Sequence, residues 1–534
     1  MLIYLPALIL LVAAVALLVL HWTRPGFGFS WLLAVVSVQA TWFLLVFLRF
    51  RLTLRTTVSI WNPEELFPLA PSLILDRYSW PYAFALVTLA VAVMYTTTAR
   101  EKFRADTVAW AGALGTTGLG LVAVLSANPV TMVLAWTALD LLELGVQLVY
   151  IRDVELQRRA VTAFAARVIG SFVMVLAMVA SRSQGEVMGL EKVNPVVGLL
   201  VLLSAGLRLG VLPLHLPFAR DLPVRRGLGL MLRMVMAASS LVVLARLQGA
   251  VVLESSIPYL LALTVLAALV GSILWVASQD ELSGRPYWVI TLAALAIACV
   301  IKGNASASIS WGITLLLGGG MIFLYTARET WTHLFPGMMV LLMMGLPYTP
   351  TADGYRGLFS GPFSAVDVFF ILSIVLLAIG YLRHSLRPGD SLKSMERWVL
   401  VTYPLGLLLI TATQIVEGIW GWPTSQSMGV WWASAVAVVL SAGAVVWGWR
   451  NRALVNPEAS PEGEWLGVFT RPAERAASIL RLDWLYGLLE RLGNLVGWVI
   501  ARLTNMLEGD GGVLWALVLL ALLVLSLQSG GNPR

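Results

Sequence analysis

Two acidic residues stand three positions apart in one apolar run, Asp140 and Glu143. On a helix that spacing puts both carboxylates on one face. Two carboxylates that share a buried face repel one another, which suits a proton that is held and passed on. The competing reading is an interfacial or structural ion pair. A second constellation lies downstream, where an apolar run from Val196 contains Arg208 and ends at Pro213 and His215. An arginine at the bilayer centre costs about 2.5–3.5 kcal/mol on insertion scales, so it faces a partner, a bundle interior or a wet cavity. Proline removes a backbone donor and breaks a helix. Broken backbone is tolerated inside a membrane only where it is buried in protein or lines a cavity. Histidine, with an unperturbed pKa of about 6.5, suits proton transfer, although a lone histidine is also commonly satisfied structure. A charge beside a broken helix points to an ion path, and the rest of the chain reads as its housing.

That housing is a membrane protein. Of 534 residues, 59% are hydrophobic and 12% charged, against about 25% charged for a soluble domain. Mean hydropathy is +0.84. The 22 tryptophans fit anchors at both membrane interfaces. A net charge of +7 and a pI near 9.6 come from arginines in short loops between apolar runs. This is positive-inside patterning and not a nucleic-acid footprint. The one cysteine, Cys299, excludes an internal disulfide and any iron–sulfur site built from this chain alone. There is no Walker A sequence, dinucleotide fingerprint or cysteine cluster, so no cofactor is expected and no catalytic chemistry is assigned to the chain. The first apolar run lacks a basic stretch before it and a clear cleavage site after it, and reads as a span and not a removed signal.

A window of about 19 residues gives about sixteen spans, an all-α polytopic bundle. They lie near Leu2–Leu20, Phe29–Phe47, Trp80–Tyr95, Val108–Ser126, Val130–Tyr150, Ala160–Ala180, Val196–Leu214, Leu228–Leu247 and Ile257–Ala277. The later ones lie near Tyr287–Ile301, Ile309–Tyr325, Thr332–Leu346, Ala365–Tyr381, Trp398–Ile419, Val430–Trp447 and Gly512–Leu527. Basic clusters follow the third span (Arg100, Lys102, Arg104), the fifth (Arg152, Arg158, Arg159), the seventh (Arg220, Arg225, Arg226) and the thirteenth (Arg383, Arg387, Lys393). All fall on one side, which is then cytoplasmic, with the N-terminus outside a bacterial-type cell membrane. Arg49, Arg51, Arg55, Arg182 and Lys192 run against that bias. From Arg450 to Asp510 the chain is polar and then amphipathic, with Ile479, Leu482, Leu485, Leu489, Leu492, Val496 and Ile500 at helical spacing. This reads as a helix lying along the membrane or clamping a neighbour.

These features together resemble a family. The chain is similar to the large antiporter-like subunits of respiratory complex I, shared with multi-subunit cation/proton antiporters, membrane-bound hydrogenases and some inorganic-carbon uptake complexes. Leu75-Asp76-Arg77-Tyr78-Ser79 resembles the family's motif before its third span. Trp136 to Tyr150 resembles its fifth span, and Arg158 to Phe164 with Arg167 to Gly170 its sixth. Arg208 to His215 falls on the Lys-x-x-x-x-Pro-x-His stretch of its broken seventh, and Gly345-Leu346-Pro347 with Gly354-Tyr355 on the break in its twelfth. The amphipathic helix and last span resemble the subunits that carry a lateral helix, here much shortened. The order and spacing of these motifs carry the resemblance.

The resemblance implies inverted repeats with two broken helices. The chain then divides into N-terminal spans (1–106), two repeats (107–247 and 257–383), C-terminal spans (397–449), a linker with the lateral helix (450–511) and a final span and tail (512–534). It implies proton or sodium movement within a larger complex, such as one of NADH-quinone oxidoreductase type, with other membrane subunits as partners and no nucleic acid. Counted from Trp136, the family's fifth-span glutamate falls on Thr137, and Asp140 is the acidic substitute one turn on. Arg208 replaces the family's proton-carrying lysine. Arginine keeps its proton, so Arg208 reads as a fixed countercharge. Arg233 falls near the next relay position, and the twelfth-span base falls near Leu358, with Arg356 two residues away. Around Pro350 there is what reads as a small insertion. Lys302, Asp367 and Glu417 are charges near span ends with no assigned role. Two alternatives stay open: a degenerate structural subunit, and a stand-alone transporter whose Arg208 binds an anion.

Overall fold

The computed structural model describes residues 2–24, 29–57, 69–98, 106–191, 193–218, 224–247, 251–392, 395–421 and 430–450, with scattered helical positions between 475 and 525. The order of elements begins α1 (Leu5–Thr23), α2 (Ser30–Arg49), β1 (Leu54–Thr57), β2 (Ser72–Leu75), α3 (Ser79–Thr96), α4 (Thr107–Val124) and α5 (Pro129–Tyr150). Then come α6 (Val154–Ser183), α7 (Pro195–Leu209), α8 (Arg226–Arg246), α9 (Ile257–Ala277) and α10 (Arg285–Ile301). After these, α11 (Ser308–Ile313) and α12 (Gly319–Leu324) are joined by a π-turn, Thr314–Gly318. The series ends with α13 (Leu334–Leu342), α14 (Pro350–Phe359), α15 (Ala365–Ser385), α16 (Val399–Val416) and α17 (Trp431–Arg450).

Local chemistry sets many of these starts. Asn128 accepts from the Thr131 amide ahead of Pro129, and Asn194 does the same for Val196 and Val197 ahead of Pro195. Asp106 and Asp153 cap α4 and α6 through the amides of Ala109 and Leu156. Such caps satisfy backbone donors that a helix leaves open, and proline fits the first turn because it has no donor to lose.

Among the described residues, eleven helices are long and apolar enough to cross a membrane, and three shorter apolar helices accompany them. The chain is a multi-pass helical membrane bundle. Each of the first fifteen expected spans coincides with helix. The helices α3, α8, α10 and the α11–α12 rod are buried nearly throughout. In contrast, only about a third of the residues of α1 and α2 are buried, as in helices at the outside of a bundle. Among the described residues the strands are one short antiparallel pair, β1 with β2, paired Leu54↔Leu75 through Thr57↔Ser72.

Among the described residues two helices are broken. The first stops at Leu209, four residues before Pro213, because Gly210 takes up a left-handed φ of +75°. A side chain there would collide with the His215 carbonyl and the Pro217 ring. The second break lies between α13 and α14 and contains Pro347, Gly345 at φ +68° and Tyr348 at φ +61°. Pro350 is the first residue of α14, the helix that follows this break.

The chain forms two compact units, Met1–Arg475 and Ala476–Arg534. In the second, positions 517–525 are helical and exposed. The residues that would form the apolar face of the lateral helix, Ile479 to Ile500, lie outside the described residues, as do Arg100, Lys102, Arg104, Lys192, Arg220 and Lys393.

Candidate functional site

The site is built on α5, whose buried stripe reads Trp136, Asp140, Glu143, Gln147 at spacings of four, three and four. That is one helix face. Thr137 lies off it: it is exposed, and its hydroxyl donates back to Val133. The acid on the buried face is therefore Asp140, 1% exposed, with Glu143 beside it, also 1% exposed.

Helix α6 packs against both α5 and α7 and presents Arg167 from its own buried face. Arg167 Nε stands 3.0 Å from Asp140 Oδ1, and another of its nitrogens stands 2.8 Å from Glu143 Oε2. One guanidinium thus serves both carboxylates. The contact to Asp140 is a hydrogen bond; the contact to Glu143 is an ion pair without hydrogen-bond alignment. Glu143 Oε1 accepts from Gln147 Nε2 at 2.6 Å.

Arg208, in the last turn of α7, completes the cluster. Its two terminal nitrogens meet the two Asp140 oxygens at 2.7 and 3.0 Å, a bidentate clamp. It also donates to the Arg167 carbonyl at 3.1 Å and the Ser171 hydroxyl at 3.0 Å. Its guanidinium lies 4.4 Å over the Trp136 ring. Gly170 makes the approach possible: a Cβ there would come within 2.7 Å of Arg208 Cγ. The helix C-terminus favours a cation at this position.

Beside Glu143 is a cavity of about 10 Å³, lined by Glu143, Arg167, Arg208, Pro217, Phe218 and Arg233 among others. That is room for roughly one water. Arg233, on α8, donates to the Gly229 carbonyl at 2.9 Å and lies 5.0 Å over the Phe218 ring. His215 is buried in the break, its Nδ1 2.8 Å from the Pro213 carbonyl. A carbonyl only accepts, so Nδ1 carries the hydrogen. Its Nε2 is buried without a partner among the described residues.

The structure therefore brings Asp140, Glu143 and Arg208 together, with Arg233 at the rim of the cavity. Pro213 sits in the adjoining break. Arg356 and Pro347 stand apart at the second break, where Arg356 faces Asp353 at 3.8 Å. Arg167 is the residue that sequence reasoning left without a role. Near Leu358, where the resemblance places a base, Lys302 arrives from the end of α10. It donates to the Leu358 carbonyl at 2.5 Å and pairs with Asp367 at 2.8 Å.

No family model matches the sequence, and no curated protein matches it. Solved structures do. A chain of the membrane-bound sulfane sulfur reductase, an archaeal respiratory membrane complex, superposes with a TM-score of 0.68 at 14% identity, covering 98% of this chain and 99% of that one. A chain of the Mrp complex from a Dietzia species gives 0.71 at 14% identity over all of this chain, which spans 63% of that longer one. A chain of respiratory complex I from Thermus thermophilus with bound NADH gives 0.62 at 16% identity, covering 82% and 99%. At these identities the likeness is one of fold. With two broken helices inside a multi-pass bundle, the chain has the fold of an antiporter-like membrane subunit.

Proposed function

We propose that this chain translocates ions, with the proton as the ion, as one membrane subunit of a larger energy-coupling complex. The observation that carries the reading is the unequal treatment of two neighbouring carboxylates. Asp140 is clamped by Arg167 and Arg208, whereas Glu143 is held by one ion pair and one amide beside a water-sized cavity. Arginine does not release its proton at physiological pH. Arg167 and Arg208 are then constant countercharges, and Glu143 is the group that gains and loses the proton. When Glu143 is ionised it shares Arg167 with Asp140. When it is protonated, Arg167 is left to Asp140. Arg233 offers positive charge at the cavity rim, and His215 is the titratable group in the adjoining break.

The same reading puts two antiporter-like repeats at 107–247 and 257–383, the N-terminus outside and the arginine-rich loops in the cytoplasm of a bacterial-type cell. Partner subunits supply any redox chemistry. A second reading, a structural subunit without net transport, is favoured by one feature: Arg208 holds Asp140 where the family that the chain resembles carries a lysine. The test is gentle extraction from native membranes with this chain as bait. Redox, hydrogenase or ion-antiporter subunits are expected to come with it. A chain recovered alone, or only with itself, overturns the complex-subunit reading.

A further inference from the structure

Glu417 ends α16 at the start of a π-helical turn, Glu417–Gly421. Its side chain is wholly buried, and neither carboxyl oxygen has a hydrogen-bond partner among the described residues. On α16 it shares a face with Gln414, one turn earlier. Thr413, Val416 and Trp420 point another way, into an apolar cleft against α2 and α3. Gln414 Nε2 donates to Thr314 in the π-turn between α11 and α12 at 3.4 Å, and its Oε1 is buried without a partner. Gly418 fixes what the face meets: a Cβ there would fall on the Tyr348 carbonyl and 3.0 Å from Pro350 Cδ. Glu417 therefore stands beside the second helix break.

We propose that Glu417 is a proton-binding site serving that break. An ionised carboxylate in a dry interior requires donors or a cation. Among the described residues, the charged group that acts on Glu417 is Arg49 of α2. Its guanidinium is engaged elsewhere, donating to the Trp420 carbonyl at 2.8 Å and lying 4.8 Å over the Trp80 ring. On α14, Asp353 and Arg356 face one another at 3.8 Å. A proton on Glu417 removes the need for a counterion and gives the acid an O–H to donate.

Sodium fits less well. Among the described residues no cluster of three histidine, cysteine or acidic side chains occurs. The hydroxyl oxygens in the break are engaged with other groups: Thr351 Oγ1 accepts from the Gly345 amide at 3.1 Å and lies 3.1 Å from Thr349 Oγ1. Transfer would run from a water in the break to a Glu417 oxygen and back, with no bond other than O–H made or broken. This role in transfer rests on the proposed function; occupancy by a proton does not.

The test is pH-dependent infrared difference spectroscopy on the full chain, with whatever subunits co-purify, in H2O and D2O. A protonated-carboxyl C=O band should titrate away at alkaline pH, shift in D2O and be absent in Glu417→Gln. Glutamine is isosteric with the neutral acid, so the thermal unfolding midpoint should be unchanged. Glu417→Asp, the second variant, should keep a titrating band at a shifted position. The proposal is overturned if Glu417→Gln leaves every protonated-carboxyl band in place, or if adding sodium at constant pH removes the wild-type band. The band is read without any flux. Loss of this site and loss of the transport reading are thus told apart.

Discussion

The guanidinium of Arg167 stands between Asp140 and Glu143, 3.0 Å from one carboxylate and 2.8 Å from the other. One cation from α6 thus ties the protonation of Glu143 to the position of Asp140. Breaking a buried ion pair by removing one partner typically costs about 3–5 kcal/mol, because the other charge is stranded. Arg167→Gln should therefore destabilise the chain by about that amount. Adding Glu143→Gln to it should recover part of the loss, since the stranded acid becomes a neutral amide. A thermal-unfolding double-mutant cycle checks this, and strict additivity would count against a shared guanidinium.

Arg208 is a different case, because its clamp on Asp140 is bidentate and rests on the Trp136 face. Lysine can offer the charge but not the fork. Arg208→Lys should fold and assemble with a loss of about 1–3 kcal/mol, whereas Arg208→Leu should lose about 3–5 kcal/mol. Unfolding midpoints of the two variants, measured side by side, decide it. Equal losses would mean that the charge contributes nothing beyond what the fork's shape does.

The first break depends on Gly210. A non-glycine residue in the left-handed region costs about 1–2 kcal/mol before any collision is counted. Gly210→Ala should exceed that, because its methyl would meet the His215 carbonyl and the Pro217 ring. The expected result is a lower midpoint together with faster proteolysis near 210–218. A variant as stable as wild type would show that the break is held by Pro213 alone.

The spans were legible because an apolar run of about 20 residues has few other uses. The carboxylate pair was legible because three residues is close to one turn. The exact site of the first break was not: proline is a visible breaker, but the chain leaves the helix at Gly210, whose left-handed φ only the fold reveals. Arg167 was missed because it follows Arg158 and Arg159 in a 30-residue helix that opens polar. Its signal was present in the buried stripe Ala160, Ala163, Arg167, Ser171, Met174, where a lone charge takes a core position. Lys302 read only as a charge near a span end, because it reaches Leu358 from a different helix.

The central claim is that Glu143 carries a proton while Asp140 and the arginines stay fixed. Proton movement into sealed native vesicles, followed with a pH-sensitive dye and normalised to assembled complex, tests it. Glu143→Gln is expected to lower the flux by more than about tenfold, the scale on which loss of a proton-transfer group acts, with assembly unchanged. Flux equal to wild type in Glu143→Gln would contradict the account and leave the chain a structural member of its complex.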